Sequence, residues 1–212
     1  MPLILAIETA TKLCSVAVAR DGHVLALREV ESQRHEHAEK VNVFIAEVLA
    51  EAGLSLKDLD AVAVGIGPGS YTGLRIGLSA AKGLCYALEV PLIGLSTLGT
   101  LARAAIDAAN TPVATVQPMV DARRMEVFTG TYDASGHALG DHHPLVLDEA
   151  WAQQAKGRLV CGDGADKAAA LRDQLLHRTA GDPSLVLRQG GRAPRNARRE
   201  RAAVARRRPA RA

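Results

Sequence analysis

Apolar residues alternate with polar or small ones along Leu3–Ile7 and again along Ser15–Ala19, a period of two that predicts a pair of strands joined by a polar turn. Asp21-Gly22 is a hairpin signal, and His23–Val30 alternates as a third strand. The period then lengthens. Val41, Ile45, Val48 and Ala52 share one helical face with Phe44 beside it, predicting a helix from about Glu36 to Ala52 that Gly53 stops. Ala61-Val62-Ala63-Val64 reads as a short buried strand, closed by Gly65, Gly67, Pro68 and Gly69. A helix capped by Ser70 or Thr72 should follow and run to Leu88. It is apolar or small almost all round, so it is buried on more than one side. A short strand, Pro91–Leu95, closes the series.

The plan then repeats. Val113–Val120 is apolar and ends at Asp121, as Leu3–Ile7 ends at Glu8, and Glu126–Tyr132 matches Ser15–Ala19. Arg158–Gly164 restates strand and glycine loop, with Ala165–Leu176 as the following helix. The chain reads as a tandem duplication of one α/β unit: residues 1–105 form the first, 106–187 an incomplete second. After Leu187 apolar periodicity stops. Residues 188–212 form an Arg-rich tail expected to be disordered, because it cannot bury enough surface to offset its ordering entropy.

Charge sharpens this division. The formal net charge is +3, but of 26 Lys and Arg and 23 Asp and Glu, ten Arg and one Glu fall in Arg188–Ala212. The body therefore keeps 16 basic against 22 acidic residues, a net of −6. An acidic body argues against nucleic-acid contacts by the body, whereas the tail should bind RNA weakly and without sequence preference. Aromatic residues are 3% of the chain, so the core must be Leu, Val, Ile and Ala. Cys14, Cys85 and Cys161 lie far apart, with neither disulfide-framework nor zinc-ribbon spacing, as expected of a cytoplasmic protein. Met1–Ile7 lacks a basic leader and ends at Glu8, too early for a secretory signal. No apolar run approaches the ~18 residues of a membrane span.

Candidate chemistry centres on the glycine loop. Glycines ahead of a helix N-terminus suit a phosphate, but three residues separate Gly69 from Gly73-Leu74-Arg75, where a phosphate loop of the Walker type needs four and then Gly-Lys-Ser/Thr. The dinucleotide fingerprint fails as well, since Ser70 and Thr72 stand where its third glycine belongs. Gly73, Gly77 and Ala81 recur every four residues, a face with almost no side chain. It suits packing on the chain's own sheet and a neighbouring helix, or close approach of a partner helix. His35, Glu36 and His37 read as solvated residues at a helix entrance, and His142-His143 before Pro144 as a loop.

Five segments together resemble the TsaB (YeaZ) family: ILAIETATKLCSVAVA, the helix start at His35-Glu36-His37, GPGSYTGLRIGLSAAKGL, PLIGLSTL and DARRMEVF. The resemblance runs from Leu3 to about Gln174, and the Gly67–Gly77 motif is highly specific to the family. It implies tandem duplicated actin-like (ribonuclease H-like) α/β units. It also implies a noncatalytic subunit of the tRNA threonylcarbamoyladenosine (position 37) transferase complex, scaffolding a TsaD-like catalytic paralogue and a TsaE-like ATPase. tRNA would be met through that complex, and a homodimer could form when the chain is alone. The tail does not resemble the family, and a frame-shifted or truncated C-terminus would account for it.

In catalytic relatives two histidines four apart hold a metal. Those places fall here on Thr97 and Leu101, neither a transition-metal ligand, so the resemblance implies no metal and no other cofactor. Glu8 and Asp121 stand where superfamily members hold a nucleotide-bound metal. The turn after Glu8 has no glycine to admit a phosphate, so both acids read as structural or interface groups. Glu8, Thr9, Gly67, Pro68, Gly69, Asp121, Arg123 and Glu126 belong to the family motifs without an assigned role. The expected partner surface is the two long helices, through Val41, Ile45, Val48, Gly73, Arg75, Gly77, Ala81 and Leu84. The competing reading is a stand-alone superfamily ATPase or metallopeptidase-like enzyme.

Overall fold

The computed structural model describes residues 1–31, 37–155 and 158–178. Strands β1 (Leu3–Glu8), β2 (Leu13–Arg20) and β3 (His23–Glu31) form an antiparallel meander. Helix α1 (His37–Ala52) leads to β4 (Ala61–Gly65), which pairs in parallel with β1. Helix α2 (Tyr71–Leu88) leads to β5 (Leu92–Leu95), parallel to β4. The first sheet therefore runs β3-β2-β1-β4-β5. Leu3, Leu5 and Ile7 of β1 and Val62 and Val64 of β4 point to one face, where they meet Val41, Ile45 and Val48 of α1 and Ala81 of α2. That alternation is the period of two seen in the sequence, now with one face packed under helices.

The second sheet has the same plan. Strand β6 (Thr115–Asp121) is flanked by antiparallel β7 (Glu126–Thr129) and parallel β10 (Leu159–Cys161), with β9 (His143–Val146) beyond β7. In the roles of β3, β2, β1 and β4 stand β9, β7, β6 and β10, with helices α4 (Glu149–Gln154) and α5 (Ala165–Arg178) for α1 and α2. No described strand takes the role of β5. The described residues thus repeat one plan in two sheets.

Several details differ from expectation. The strand expected over Glu126–Tyr132 is interrupted at Gly130 and Thr131 and resumes as β8 (Tyr132–Asp133), which pairs with β6 in the same register as β7. His143, expected in a loop, opens β9 opposite Thr129. Helix α3 (Thr97–Ala108) runs through the expected boundary at residue 105. Its Leu98, Ala102 and Ala105 pack with Val116, Val120 and Leu159 of the second sheet, so the first unit's last helix completes the second unit's core. His35, Glu36 and the Arg-rich tail lie outside the described residues. No helix among the described residues is long and apolar enough to cross a membrane.

Candidate functional site

The motif residues gather where the C-terminal ends of β1, β4 and β6 meet the turns that follow them. In the first unit the glycine loop receives the chain's own backbone. Ser70 N–H donates to the Ala10 carbonyl at 2.6 Å, and the buried Thr9 hydroxyl donates to the Gly73 carbonyl at 2.8 Å. A Cβ at Gly69 would coincide with the Ala10 carbonyl, one at Gly73 with the Thr9 carbonyl and one at Gly77 with the Thr9 hydroxyl. The small face of α2 is therefore filled by the β1–β2 turn. Ser70 caps α2 through Gly73 N–H at 3.2 Å, so Ser70 and not Thr72 is the cap.

This corrects the expected partner surface. Val41, Ile45, Val48, Gly73, Gly77 and Ala81 are buried within the chain and offer nothing to a second molecule. Their apolar or small character reflects internal packing of α1, α2 and the β1–β2 turn. Leu84 is half-buried against the same core. Of the expected set, Arg75 is exposed; its guanidinium lies 5.4 Å from the ring centroid of Tyr71. Tyr71 is 74% exposed and Tyr86 90%, on the outer side of α2. Sequence reading passed over both, although their 15-residue spacing on an otherwise small helix is a visible signal.

Glu8 sits beneath the loop. One carboxylate oxygen accepts from Ala10 N–H at 2.7 Å, and the other from the Thr97 hydroxyl at 3.1 Å. Gly65 has no room for a Cβ because the Glu8 carboxylate occupies it. Burial pushes the Glu8 carboxyl above its ordinary value of 4.5, against the hydrogen bonds from Ala10, Thr97 and Thr9 that pull it down. The folded state thus holds this proton more tightly than the unfolded chain. An ionised Glu8 opposes folding above its raised value, and the opposition disappears below pH 4.5. Glu8→Gln is accordingly expected to melt at or above the wild-type temperature at pH 7, with the difference vanishing below pH 4.5. A lower melting temperature at pH 7 would mean that the charge itself is required.

The second unit fills the corresponding space with side chains. Asp121 ends β6 as Glu8 ends β1, and its Oδ1 accepts from Lys167 Nζ at 2.6 Å and from Arg123 N–H at 2.7 Å. Lys167 Nζ also donates to the Glu126 carbonyl at 3.0 Å. Asp163 accepts from Asp121 N–H at 2.9 Å and from the backbone of Lys12, which ties the β1–β2 turn to the second unit. Burial raises Asp121, but the hydrogen bonds from Lys167 and Arg123 and the charges of Lys167 and Lys12 outweigh it and hold the carboxyl below 3.8. Asp163 moves the other way, because burial dominates. Lys167 is the third residue of α5, as Gly73 is the third of α2. Aligning the two repeats would have found it.

The turn between β6 and β7 is strained. Arg123 (φ 78°) and Arg124 (φ 47°) are the one consecutive pair of non-glycine residues with positive φ among the described residues. Each such residue costs of order 1–3 kcal/mol and persists only where its surroundings over-determine it. Here the determinants are the Asp121 contacts, Glu126 N–H to the Arg123 carbonyl at 3.0 Å, Ala122 N–H to the Glu126 carbonyl at 3.1 Å and Leu147 N–H to the Met125 carbonyl at 2.7 Å. Elsewhere, Thr97 and Leu101 take part in internal contacts. Thr97 is bound to Glu8 and Leu101 packs in the second unit's core. The Tyr132 hydroxyl and His142 Nε2 lie 2.7 Å apart.

Comparison with known proteins decides the family. Residues 27–156 match the family model described as TsaD: tRNA N6-adenosine threonylcarbamoyltransferase. The chain is 41% identical, over 68% of its length, to the tRNA threonylcarbamoyladenosine biosynthesis protein TsaB of Escherichia coli, and 37% identical, over 59%, to that of Haemophilus influenzae. The structure of YeaZ from Pseudomonas aeruginosa superposes with a TM-score of 0.69 at 28% identity, covering 89% of this chain and 84% of that one.

The chain belongs to the TsaB (YeaZ) family. The α/β fold, with its two sheets, is shared with that YeaZ structure. The chain spans 62% and 51% of the lengths of the Escherichia coli and Haemophilus influenzae relatives. The TsaB-family motifs are the residues that meet in this site: Thr9 with the Gly67–Gly77 loop and helix start, and Asp121–Glu126 with Lys167.

Proposed function

We propose that this chain is the noncatalytic partner subunit of the complex that makes threonylcarbamoyladenosine at position 37 of tRNA, where it scaffolds a TsaD-like catalytic paralogue and a TsaE-like ATPase. The carrying observation is what occupies the glycine loop. A loop that would cradle phosphate needs free N–H groups and room beside glycine. In this chain Ser70 N–H and the space at Gly69 and Gly73 are taken by the Ala10 and Thr9 carbonyls. In the second unit the Lys167 ammonium sits on Asp121, the acid a nucleotide-bound metal would need. The family's names for its members supply the pathway.

With the small face internal, the surface left for the paralogue is the outer side of α2. Tyr and Arg are the residue types that carry interface energy, and Tyr71, Arg75 and Tyr86 stand exposed there. Arg75→Glu combined with Tyr86→Asp is expected to melt as wild type, since neither side chain is buried, yet to weaken binding to the paralogue by more than about tenfold. Unchanged affinity would remove this surface from the contact. Titration with ATP and a divalent metal tests the noncatalytic role directly. ATP turnover by the chain alone would favour the stand-alone enzyme.

A further inference from the structure

Arg123 and Arg124 are exposed, and neither guanidinium has a hydrogen bond, ion pair or ring contact among the described residues. Several other arginines of the body are engaged: Arg28 with Glu47 and Glu51, Arg103 with Asp107 and Arg75 with the Tyr71 ring. Of the neighbouring acids, Asp121 is held by Lys167 and Asp163 by backbone N–H groups, and Glu126 forms no ion pair with either arginine among the described residues. The fold thus keeps a strained backbone, fixes it with hydrogen bonds from three sides and presents two adjacent cations without partners. A turn needed only to reverse direction would carry glycine or asparagine at such φ values.

We infer that the β6–β7 turn is a contact site for the phosphodiester backbone of an RNA, with Arg123 and Arg124 each donating to a phosphate. The inference rests on the function proposed above, in which tRNA is the substrate of the complex. A guanidinium fork matches a phosphate without any surrounding apolar area. An acidic protein surface would need a broad buried interface around the two charges, and the turn itself offers only Ala122 and Met125 as apolar residues. The net charge of −6 that argued against RNA contacts by the body is an average, and it conceals this unpaired pair.

The test uses the full chain and unmodified tRNA, with affinity measured across a salt series. The double variant Arg123→Gly/Arg124→Gly keeps the left-handed backbone and deletes both cations. Each lost phosphate contact removes about 0.7–0.9 from the slope of log affinity against log salt, so the glycine variant should be shallower by about 1.5. Arg123→Lys/Arg124→Lys should keep the wild-type slope. The tail is identical in all three proteins, so its share cancels. Equal slopes in the three proteins overturn the inference, and so does a glycine variant that binds RNA normally but loses the TsaD-like paralogue, which would assign the turn to an acidic protein surface. If the slopes change as expected but wild-type chain binds no paralogue, the function proposed above fails while the RNA contact stands.

Discussion

Gly73→Ala is expected to melt well below the wild type, although alanine is the better helix former by roughly 1 kcal/mol. The added Cβ would coincide with the Thr9 carbonyl, a backbone atom that cannot rotate aside. Overpacking of this kind costs about 1–3 kcal/mol, and at roughly 2–4 °C per kcal/mol for a chain of this size the melting temperature should fall by about 2–12 °C. Gly77→Leu should act in the same direction, because its Cβ would meet the buried Thr9 side chain. Gly83→Ala provides the opposite sign within the same helix. Nothing lies within 4 Å of a Cβ at that exposed position, so helix propensity alone should raise the melting temperature by a few degrees. If Gly73→Ala rises with Gly83→Ala, the β1–β2 turn is not docked on α2.

The second large effect is expected at Lys167. Replacing it by methionine keeps the stem and removes the ammonium, leaving the Asp121 carboxylate with the Arg123 N–H and the Glu126 carbonyl with the Ala122 N–H as remaining donors. Hydrogen bonds to charged groups contribute about 1.5–3 kcal/mol, reduced here because the two side chains are 19% and 29% exposed; a loss of about 1–2 kcal/mol is expected. The effect depends on pH in a defined sense. Asp121 is held below its ordinary value of 3.8, so its stabilising contribution is present above that pH and is lost as pH falls through the folded value. The gap between Lys167→Met and wild type should therefore be full at pH 7 and close below pH 3.8. A gap that persists in acid would assign the effect to packing of the lysine stem instead.

These two sites show opposite solutions to one geometric problem. Each unit must close the space between the acid ending its first strand and the helix after its fourth. The first unit shrinks the helix with Gly73 and Gly77 and brings the Thr9–Ala10 backbone in. The second keeps the space and spans it with Lys167.

The sequence by itself determined the strands, the two long helices and the repeat, because an alternating or four-residue apolar period depends only on which face is buried. Its family motifs also marked Thr9, Gly69 and Asp121, which converge at the site. Which neighbour fills the face of Gly73, Gly77 and Ala81 was decided only by tertiary structure. A small-residue stripe records that something comes close, and the same stripe serves a partner's helix or the chain's own turn; Thr9 lies 64 residues from Gly73. The ion pair of Asp121 with Lys167, 46 residues apart, was hidden for the same reason. A charge in sequence carries no record of its partner until the fold brings the end of β6 and the start of α5 together. Left-handed backbone at Arg123 and Arg124 was equally invisible, since nothing in those side chains favours positive φ and only the hydrogen bonds around the turn impose it.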